Sequence, residues 1–127
     1  MTTELDLEIA ELTEQGFCCS QIMIIKALQL KGEDNPSLIK AAGGLCGGLR
    51  SGLVCGALSG ADCLISLLSE AENRDDLMVR LNNWFLDTFG AYDCNKLTDM
   101  KNPEKKAEVC PVIKRETYKK AVELLEL

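Results

Sequence analysis

Seven of the ten glycines in this chain fall within one short stretch, from Gly43 to Gly60. Because glycine has no Cβ, such a stretch serves either to turn the backbone tightly or to let another element approach closely. Gly52, Gly56 and Gly60 recur every four residues, so on a helix they form a stripe that is almost free of side chains. We expect this stripe to pack closely against a neighbouring helix, or against a second copy of the chain in a homodimer.

Apolar spacing and helix-breaking residues indicate helices throughout the chain, and no run alternates with the two-residue period of a strand. We therefore predict an all-α fold, a compact bundle of five or six helices in a single domain that spans residues 1–127. In the first half of the chain we expect a helix around Leu5, Ile9 and Leu12 that closes at Gly16, a second from Phe17 or Cys18 to Leu30, a third from Asn35-Pro36 to Ala42 and a fourth from Ser51 to Leu68. A polar linker over 69–75 then leads to a fifth helix that ends at Gly90, with Leu77, Leu81, Trp84, Phe85 and Thr88 on one face. An irregular stretch from Tyr92 to Met100 precedes two helices that begin at Asn102-Pro103 and Cys110-Pro111.

Charge and hydropathy exclude several classes of partner. The chain has 14 Lys and Arg against 20 Asp and Glu, a net charge of −6, whereas nucleic-acid binding relies on positive charge along the phosphates. The longest apolar stretch, Gly52 to Leu68, contains Asp62 and is shorter than the ~20 residues of a membrane span. Residues 1–8 carry three acidic side chains and no basic run followed by an apolar stretch, so we expect neither a secretory signal nor a lipid anchor. We expect a cytoplasmic protein that binds neither nucleic acid nor membranes.

The chain has seven cysteines and no histidine. Without an imidazole it cannot build Cys/His or Ser/His nucleophilic pairs, Cys₂His₂ zinc sites or CxxCH haem attachment. An odd number of cysteines cannot pair fully within one chain, and structural disulfides are rare in reducing compartments. We expect metal ligands, redox thiols or core residues rather than cross-links. Because no CxxC occurs, any site must be assembled across helices.

Most of the cysteines lie at or near predicted helix starts, where free backbone N–H groups and the helix dipole lower the pKa of a thiol and raise its reactivity and metal affinity. We expect Arg50 to add positive charge near Cys55. Cys63, in the middle of the fourth helix, is expected to be a small apolar residue of the core. The cysteines at helix starts are Cys18, Cys19, Cys55 and Cys110, with Cys94 in the irregular stretch.

Two further patterns favour simple structural roles. The run from Gly43 to Gly52 lacks both the Lys-Ser/Thr ending of a phosphate-binding loop and the GxGxxG spacing after a strand, so nucleotide binding is disfavoured. The basic residues of the last helix predict a solvated face. These residues are Lys114, Arg115, Lys119 and Lys120.

Several short motifs follow one another along the chain: Cys19-Ser20-Gln21, Gly43-Gly44-x-x-Gly47-Gly48-x-Arg50-x-Gly52, Cys55-Gly56-Ala57-x-x-Gly60-Ala61, Phe89-Gly90-x-x-x-Cys94, and Cys110. Together they resemble the family of proposed redox-active proteins called C_GCAxxG_C_C. The resemblance covers roughly residues 16–127. It departs from the family label in one respect, because the Gly-Cys-Ala order of the label appears here as Cys55-Gly56-Ala57.

The resemblance implies a small, mostly bacterial or archaeal cytoplasmic protein associated with anaerobes. A similar cysteine module accompanies the haem part of split-Soret cytochromes, which again suggests electron transfer. Matched by position, the four signature cysteines are those at 19, 55, 94 and 110, and the resemblance implies that they hold an iron–sulfur cluster or act as redox thiols. Cys18, Cys46 and Cys63 are additional. Cys18 could replace Cys19 as the working thiol, and Cys46 could be a resolving thiol or an alternative ligand.

We therefore expect a redox or electron-transfer protein, with an unidentified redox partner protein, in which Cys19, Cys55, Cys94 and Cys110 converge at one end of the bundle. These cysteines would hold a [2Fe–2S] or [4Fe–4S] cluster or a zinc ion, or would cycle between dithiol and disulfide with Cys55 attacking first. One alternative is a helical interaction module whose cysteines are core residues. The other is a structural zinc-binding module.

Overall fold

The computed structural model describes residues 2–99 and 101–127, and Met100, where the predicted irregular stretch ends, lies outside the described residues. The helices are α1 (Glu4–Glu14), α2 (Cys19–Lys31), α3 (Pro36–Ala42), α4 (Gly56–Leu68), α5 (Ala71–Phe89), α6 (Cys94–Thr98) and α7 (Pro103–Leu124). A 3₁₀ turn at Gly43–Leu45 and a wide helical turn at Gly48–Gly52 connect α3 to α4. The described residues contain no β-strand, so the all-α prediction is confirmed, whereas the predicted number of five or six helices is wrong.

Several predicted helix ends are confirmed. The side chain of Asn35 accepts a hydrogen bond from the backbone N–H of Leu38 (3.1 Å), and Asn102 caps α7 in the same way through Lys105 (3.2 Å). In both helices proline occupies the first turn, where its missing N–H leaves no helical bond unmade. Gly90 ends α5 in a left-handed conformation with φ of 84°.

The fourth helix begins at Gly56 and not at Ser51, because the backbone before it turns left-handed. Residues 47–50 all have φ between 56° and 66°, and two of the four are not glycine. A left-handed conformation costs roughly 1–2 kcal/mol for each residue with a Cβ, so the surroundings must hold this turn. Gly48 is required here for a second reason: a Cβ at that position would collide with the backbone of Leu53.

The two helices predicted after residue 100 form one helix. α7 runs through Cys110 and Pro111, which were expected to open a new helix. Since Pro111 has no N–H, it cannot donate the helical hydrogen bond to the carbonyl of Ala107. The helix continues across this missing bond, and Cys110 lies in its interior rather than at its start.

Two other boundaries differ from prediction. α5 begins at Ala71, inside the stretch expected to be a linker, because the polar residues there form the solvent face of its first turns. The stretch expected to be irregular contains the short helix α6, which starts at Cys94.

α4 lies at the centre of the bundle and packs against α2, α5 and α7. None of the helices in the described part of the chain is both long and apolar enough to cross a membrane. The main core is built from buried side chains of these four helices, among them Met23, Ala27, Ala57, Ala61, Leu64, Leu81, Phe85, Ile113 and Ala121.

Gly56 and Gly60 pack inside the chain, as the helix-packing alternative predicted, whereas Gly52 lies in the left-handed turn before α4 and not on the helix. Gly52, Gly56 and Gly60 are all buried. A Cβ placed at Gly60 would lie 2.7 Å from the Cα of Ser20 and 3.0 Å from the Cβ of Met23, both in α2. A homodimer through this stripe would therefore have to open the contact between α2 and α4.

We expect Gly60→Ala to lower the free energy of unfolding by about 2 kcal/mol, because the added methyl group meets the backbone of α2 and forces the two helices apart. The matched control is Gly44→Ala, where a Cβ meets nothing within 4 Å and φ is not positive. Urea denaturation of both variants gives the measurement. Equal losses of stability in the two variants would contradict the close packing at Gly60.

Candidate functional site

The contact between α2 and α4 brings Cys19 and Cys55 to the same place. Cys19 is the first residue of α2, and Cys55 is the N-cap of α4. Gly56 lies beside both cysteine-bearing segments: a Cβ placed there would lie 3.5 Å from the Cβ of Cys19 and 3.4 Å from the Cα of Cys46. The absence of a side chain at this position lets the sulfur-bearing residues approach.

Cys55 and Cys94 are held on neighbouring segments by a short antiparallel backbone pairing. The N–H of Cys55 donates to the carbonyl of Tyr92 (2.8 Å), and the N–H of Cys94 donates to the carbonyl of Leu53 (2.6 Å). Both cysteines are buried. The pairing therefore fixes the two thiols by backbone hydrogen bonds rather than by side-chain packing alone.

The four predicted site cysteines, Cys19, Cys55, Cys94 and Cys110, line one pocket of about 370 Å³. Cys110 reaches it from the middle of α7 and is half-buried. The predicted convergence is thus present in the structure. The roles of these residues as redox thiols or ligands stay predictions.

The Cys19 thiol is more acidic than the thiols of Cys55 and Cys110. The pKa of Cys19 is lowered to about 6, first by the hydrogen bond that the Cys110 thiol donates and also by the charges of Lys114 and Lys106. The same interaction raises the pKa of Cys110 well above its usual value, because that thiol must keep its proton while it donates to Cys19. Burial adds to the rise. Of these two sulfurs, Cys19 therefore carries the negative charge and Cys110 keeps the proton.

The prediction that Cys55 would be the activated thiol is wrong. Burial, the largest cause, and the negative charge on Cys19 together raise the pKa of Cys55 to about 11. The hydrogen bonds from the first N–H groups of α4 lower the pKa of Cys55 but do not outweigh burial. Arg50, which was expected to supply positive charge, is an exposed residue of the left-handed turn.

The positive charge of the site comes from α7 instead. Lys114 was expected on a solvated face, but it is buried and lines the pocket together with Lys106. Its ammonium donates a hydrogen bond to the hydroxyl of Thr13 in α1 (3.1 Å). A sequence signal for this arrangement exists: Lys106, Cys110 and Lys114 are spaced by four residues, which places them on one face of a helix.

A disulfide joins Cys18 and Cys46, whose Cα atoms are 6.1 Å apart. The expectation that no cysteine would form a cross-link is therefore wrong for this pair. As placed, Cys18 is not the free thiol that could replace Cys19, and the role of Cys46 as a resolving thiol stays a prediction. Ser20 lies next to the disulfide, with its hydroxyl 2.9 Å from the sulfur of Cys46 and donating to the carbonyl of Ala42 (2.6 Å).

Cys63 was expected in the core, but it is exposed. The buried face of α4 is formed by the residues on either side of it, so Cys63 points away from the bundle beside Leu38 and Leu67. Burial and the neighbouring Asp62 raise its pKa. This cysteine lies apart from the pocket and serves as an internal reference for its chemistry.

The donor set of the pocket suits thiolate-bound metals, because four thiols and no imidazole are present. The distances between the side chains do not suit a metal ion. Within residues 2–99 and 101–127, no group of three or more Cys, Asp or Glu side chains lies close enough together to hold a metal ion. As placed, these residues form a thiol pocket and not a preformed metal centre.

The chain matches the model of a family described as "Putative redox-active protein (C_GCAxxG_C_C)" over residues 17–124. This match covers more than four fifths of the chain, so the chain belongs to this family. No curated protein and no solved structure gives a match. The description of the family agrees with the predicted redox class, while the iron–sulfur cluster, the link to split-Soret cytochromes and the redox partner stay predictions.

We expect iodoacetamide to modify Cys19 before Cys63 at pH 7, although Cys63 is the more exposed of the two. The thiolate is the reactive form, and the lowered pKa of Cys19 keeps it ionised down to about pH 6, whereas the raised pKa of Cys63 keeps that thiol protonated. The rate at Cys19 should fall as the pH drops through about 6. Peptide mapping by mass spectrometry across this range measures both rates in one sample, and faster modification of Cys63 at pH 7 would refute the assignment.

Proposed function

We propose that this protein is a thiol–disulfide redox protein in which Cys19 is the attacking thiol and Cys110 the resolving thiol. The observation that carries the proposal is the shared pocket, in which the Cys110 thiol lies next to Cys19 and two lysines lie beside them. Thiol–disulfide exchange needs an accessible thiolate, a second thiol within reach and positive charge nearby. This pocket combines the three.

The exchange proceeds in two displacements. The Cys19 thiolate attacks one sulfur of a substrate disulfide, which forms a mixed disulfide and releases the other half as a thiolate. Cys110 then loses its proton to that leaving thiolate or to solvent and attacks the sulfur of Cys19. This forms a Cys19–Cys110 disulfide and releases the second half of the substrate. Two electrons pass from the protein to the substrate, and the reverse sequence oxidises a substrate dithiol.

The raised pKa of Cys110 is consistent with its role as the second nucleophile. Its largest cause is the hydrogen bond to the Cys19 thiolate, and the negative charge on Cys19 adds to it. Both causes disappear once Cys19 is bonded to substrate and carries no charge. Lys114 continues to lower the pKa of Cys110, while burial continues to raise it. The second thiol is thereby activated only after the first step.

We expect Cys110→Ser to trap the mixed disulfide at Cys19 when the reduced protein is treated with 2-hydroxyethyl disulfide, because the resolving step is removed. The unaltered protein should instead reach an internal disulfide between residues 19 and 110. Cys63→Ser is the matched control and should behave like the unaltered protein, since Cys63 lies outside the pocket. Peptide mapping without reduction distinguishes the products.

Two outcomes would contradict the proposal. If Cys19→Ser consumes the disulfide as fast as the unaltered protein, Cys19 is not the nucleophile. If Cys110→Ser still resolves the mixed disulfide, the second thiol is another member of the pocket.

An iron–sulfur or zinc protein is the second candidate, favoured by the four thiols that line one pocket. When bound, a cluster would supply one-electron transfer, and Cys19, Cys55, Cys94 and Cys110 would be its ligands. As placed in the described residues, these side chains do not lie close enough together for a preformed ion site. Iron, zinc and sulfide analysis of anaerobically purified protein separates the candidates, because stoichiometric iron and sulfide would replace the dithiol proposal.

A further inference from the structure

The charge of the pocket is opposite to that of the whole chain. The protein carries a net charge of −6, with 20 acidic side chains. Yet the described residues that line the pocket include two lysines, Lys106 and Lys114, and no Asp or Glu. The acidic surface elsewhere repels anions, so a positive pocket in this chain needs a local explanation.

The two buried lysines of the protein differ in how their charge is balanced. Lys26, which is 8% exposed, forms a salt bridge with Glu8 and lies over the ring of Tyr118. Lys114 is 5% exposed and donates to the hydroxyl of Thr13, but in the described residues it has no carboxylate within 4.0 Å. A buried charge is costly unless an opposite charge accompanies it.

The Cys19 thiolate balances only part of this charge. One thiolate can balance only one of the two positive charges that line the pocket, those of Lys106 and Lys114. Lys106 is exposed and lies one helical turn before Cys110 on the same face of α7. The Lys106 ammonium can contact a ligand that enters the pocket from solvent. It has no ion-pair partner among the described residues.

We propose that the pocket binds a small anionic thiol or disulfide, whose carboxylate pairs with Lys106 and Lys114 while its sulfur meets Cys19. This inference rests on the proposed function, because it names the substrate class of the same site. The volume of about 370 Å³ suits a small molecule rather than a protein loop. Phe17, Ala107 and Pro111 supply apolar walls for its short carbon chain.

Iodoacetate and iodoacetamide test the charge preference, because they share a leaving group and a similar size and differ in charge. We expect Cys19 to react faster with iodoacetate relative to iodoacetamide than Cys63 does in the same sample. Cys63 lies outside the pocket and is the reference within the sample, and comparing the lysine variants at Cys19 itself removes the effect of Asp62 on Cys63. Peptide mapping gives the ratio of the two rates at each cysteine.

Lys106→Gln removes one positive charge at the exposed edge of the pocket without disturbing a buried contact, so it tests recognition without the risk of misfolding that Lys114→Gln carries. We expect the iodoacetate preference of Cys19 to fall about fivefold, as for the loss of one partly solvated charge pair. Lys105→Gln is the matched control: it is exposed, adjacent in α7 and outside the pocket lining, and it should leave the ratio unchanged.

The outcomes separate this inference from the proposed function. If the rate ratio at Cys19 equals that at Cys63, or if Lys106→Gln and Lys105→Gln change it equally, the anion site is refuted. If Cys19 prefers iodoacetate but no Cys19–Cys110 disulfide forms with any disulfide reagent, the anion site stands and the proposed redox reaction fails. If the exchange proceeds equally fast with 3,3′-dithiodipropionate, 2-hydroxyethyl disulfide and cystamine, the redox proposal stands and the anionic substrate class fails.

Discussion

The contact between α2 and α4 depends on the missing side chain of Gly60, and the rest of the structure depends on that contact. At this crossing the backbone of α2 lies where a Cβ of residue 60 would be. The approach continues to the N-terminal ends of both helices, where Gly56 leaves room for Cys19 and Cys46. A larger residue at either glycine would separate the helices whose first turns carry the thiols. The packing requirement and the chemistry of the pocket are therefore met by the same stripe.

The crowding of thiols sets how much negative charge the pocket holds. Each thiolate raises the pKa of its neighbours, as Cys19 and Cys94 do for Cys55, so ionising one thiol opposes the ionisation of the next. Two lysines and a donating thiol decide that the first charge lies on Cys19. At neutral pH Cys19 is therefore the reactive sulfur, while Cys55 and Cys110 keep their protons.

Local sequence signals predicted the elements whose causes are local. Asn35 and Asn102 cap their helices through their own side chains, and Gly90 ends α5 through its own backbone freedom, so each could be recognised within a few residues. The left-handed turn before α4 could not, because its geometry depends on Leu53 filling the space beside Gly48. The prediction that Pro111 opens a new helix was wrong for the same reason. The packing of the whole helix decides whether a proline lies at the start of a helix or inside it.

The candidate site was likewise predictable from the sequence only in part. The glycine and cysteine order was sufficient to select the four free cysteines that line the pocket, whereas Cys18, which also lines it, is bonded to Cys46. It could not assign the thiolate, because the helix-start argument holds for an exposed thiol, and burial of Cys55 outweighs it. Lys114 was misassigned to solvent because its burial results from α1 lying across α7, a contact between segments about a hundred residues apart. Charge partners of this kind become visible only once the helices are assembled.

The part of the chain that matches the family begins at residue 17, three residues after α1 ends. Nevertheless α1 belongs to the pocket, since Thr13 lines it and accepts the hydrogen bond of Lys114, and Asp6 pairs with Arg115 (3.0 Å) to hold α1 on α7. A protein trimmed to 17–124 would keep every cysteine and lose the protein hydrogen-bond partner of its buried ammonium. The smallest unit that keeps this pocket intact is therefore longer than the unit by which its relatives are recognised.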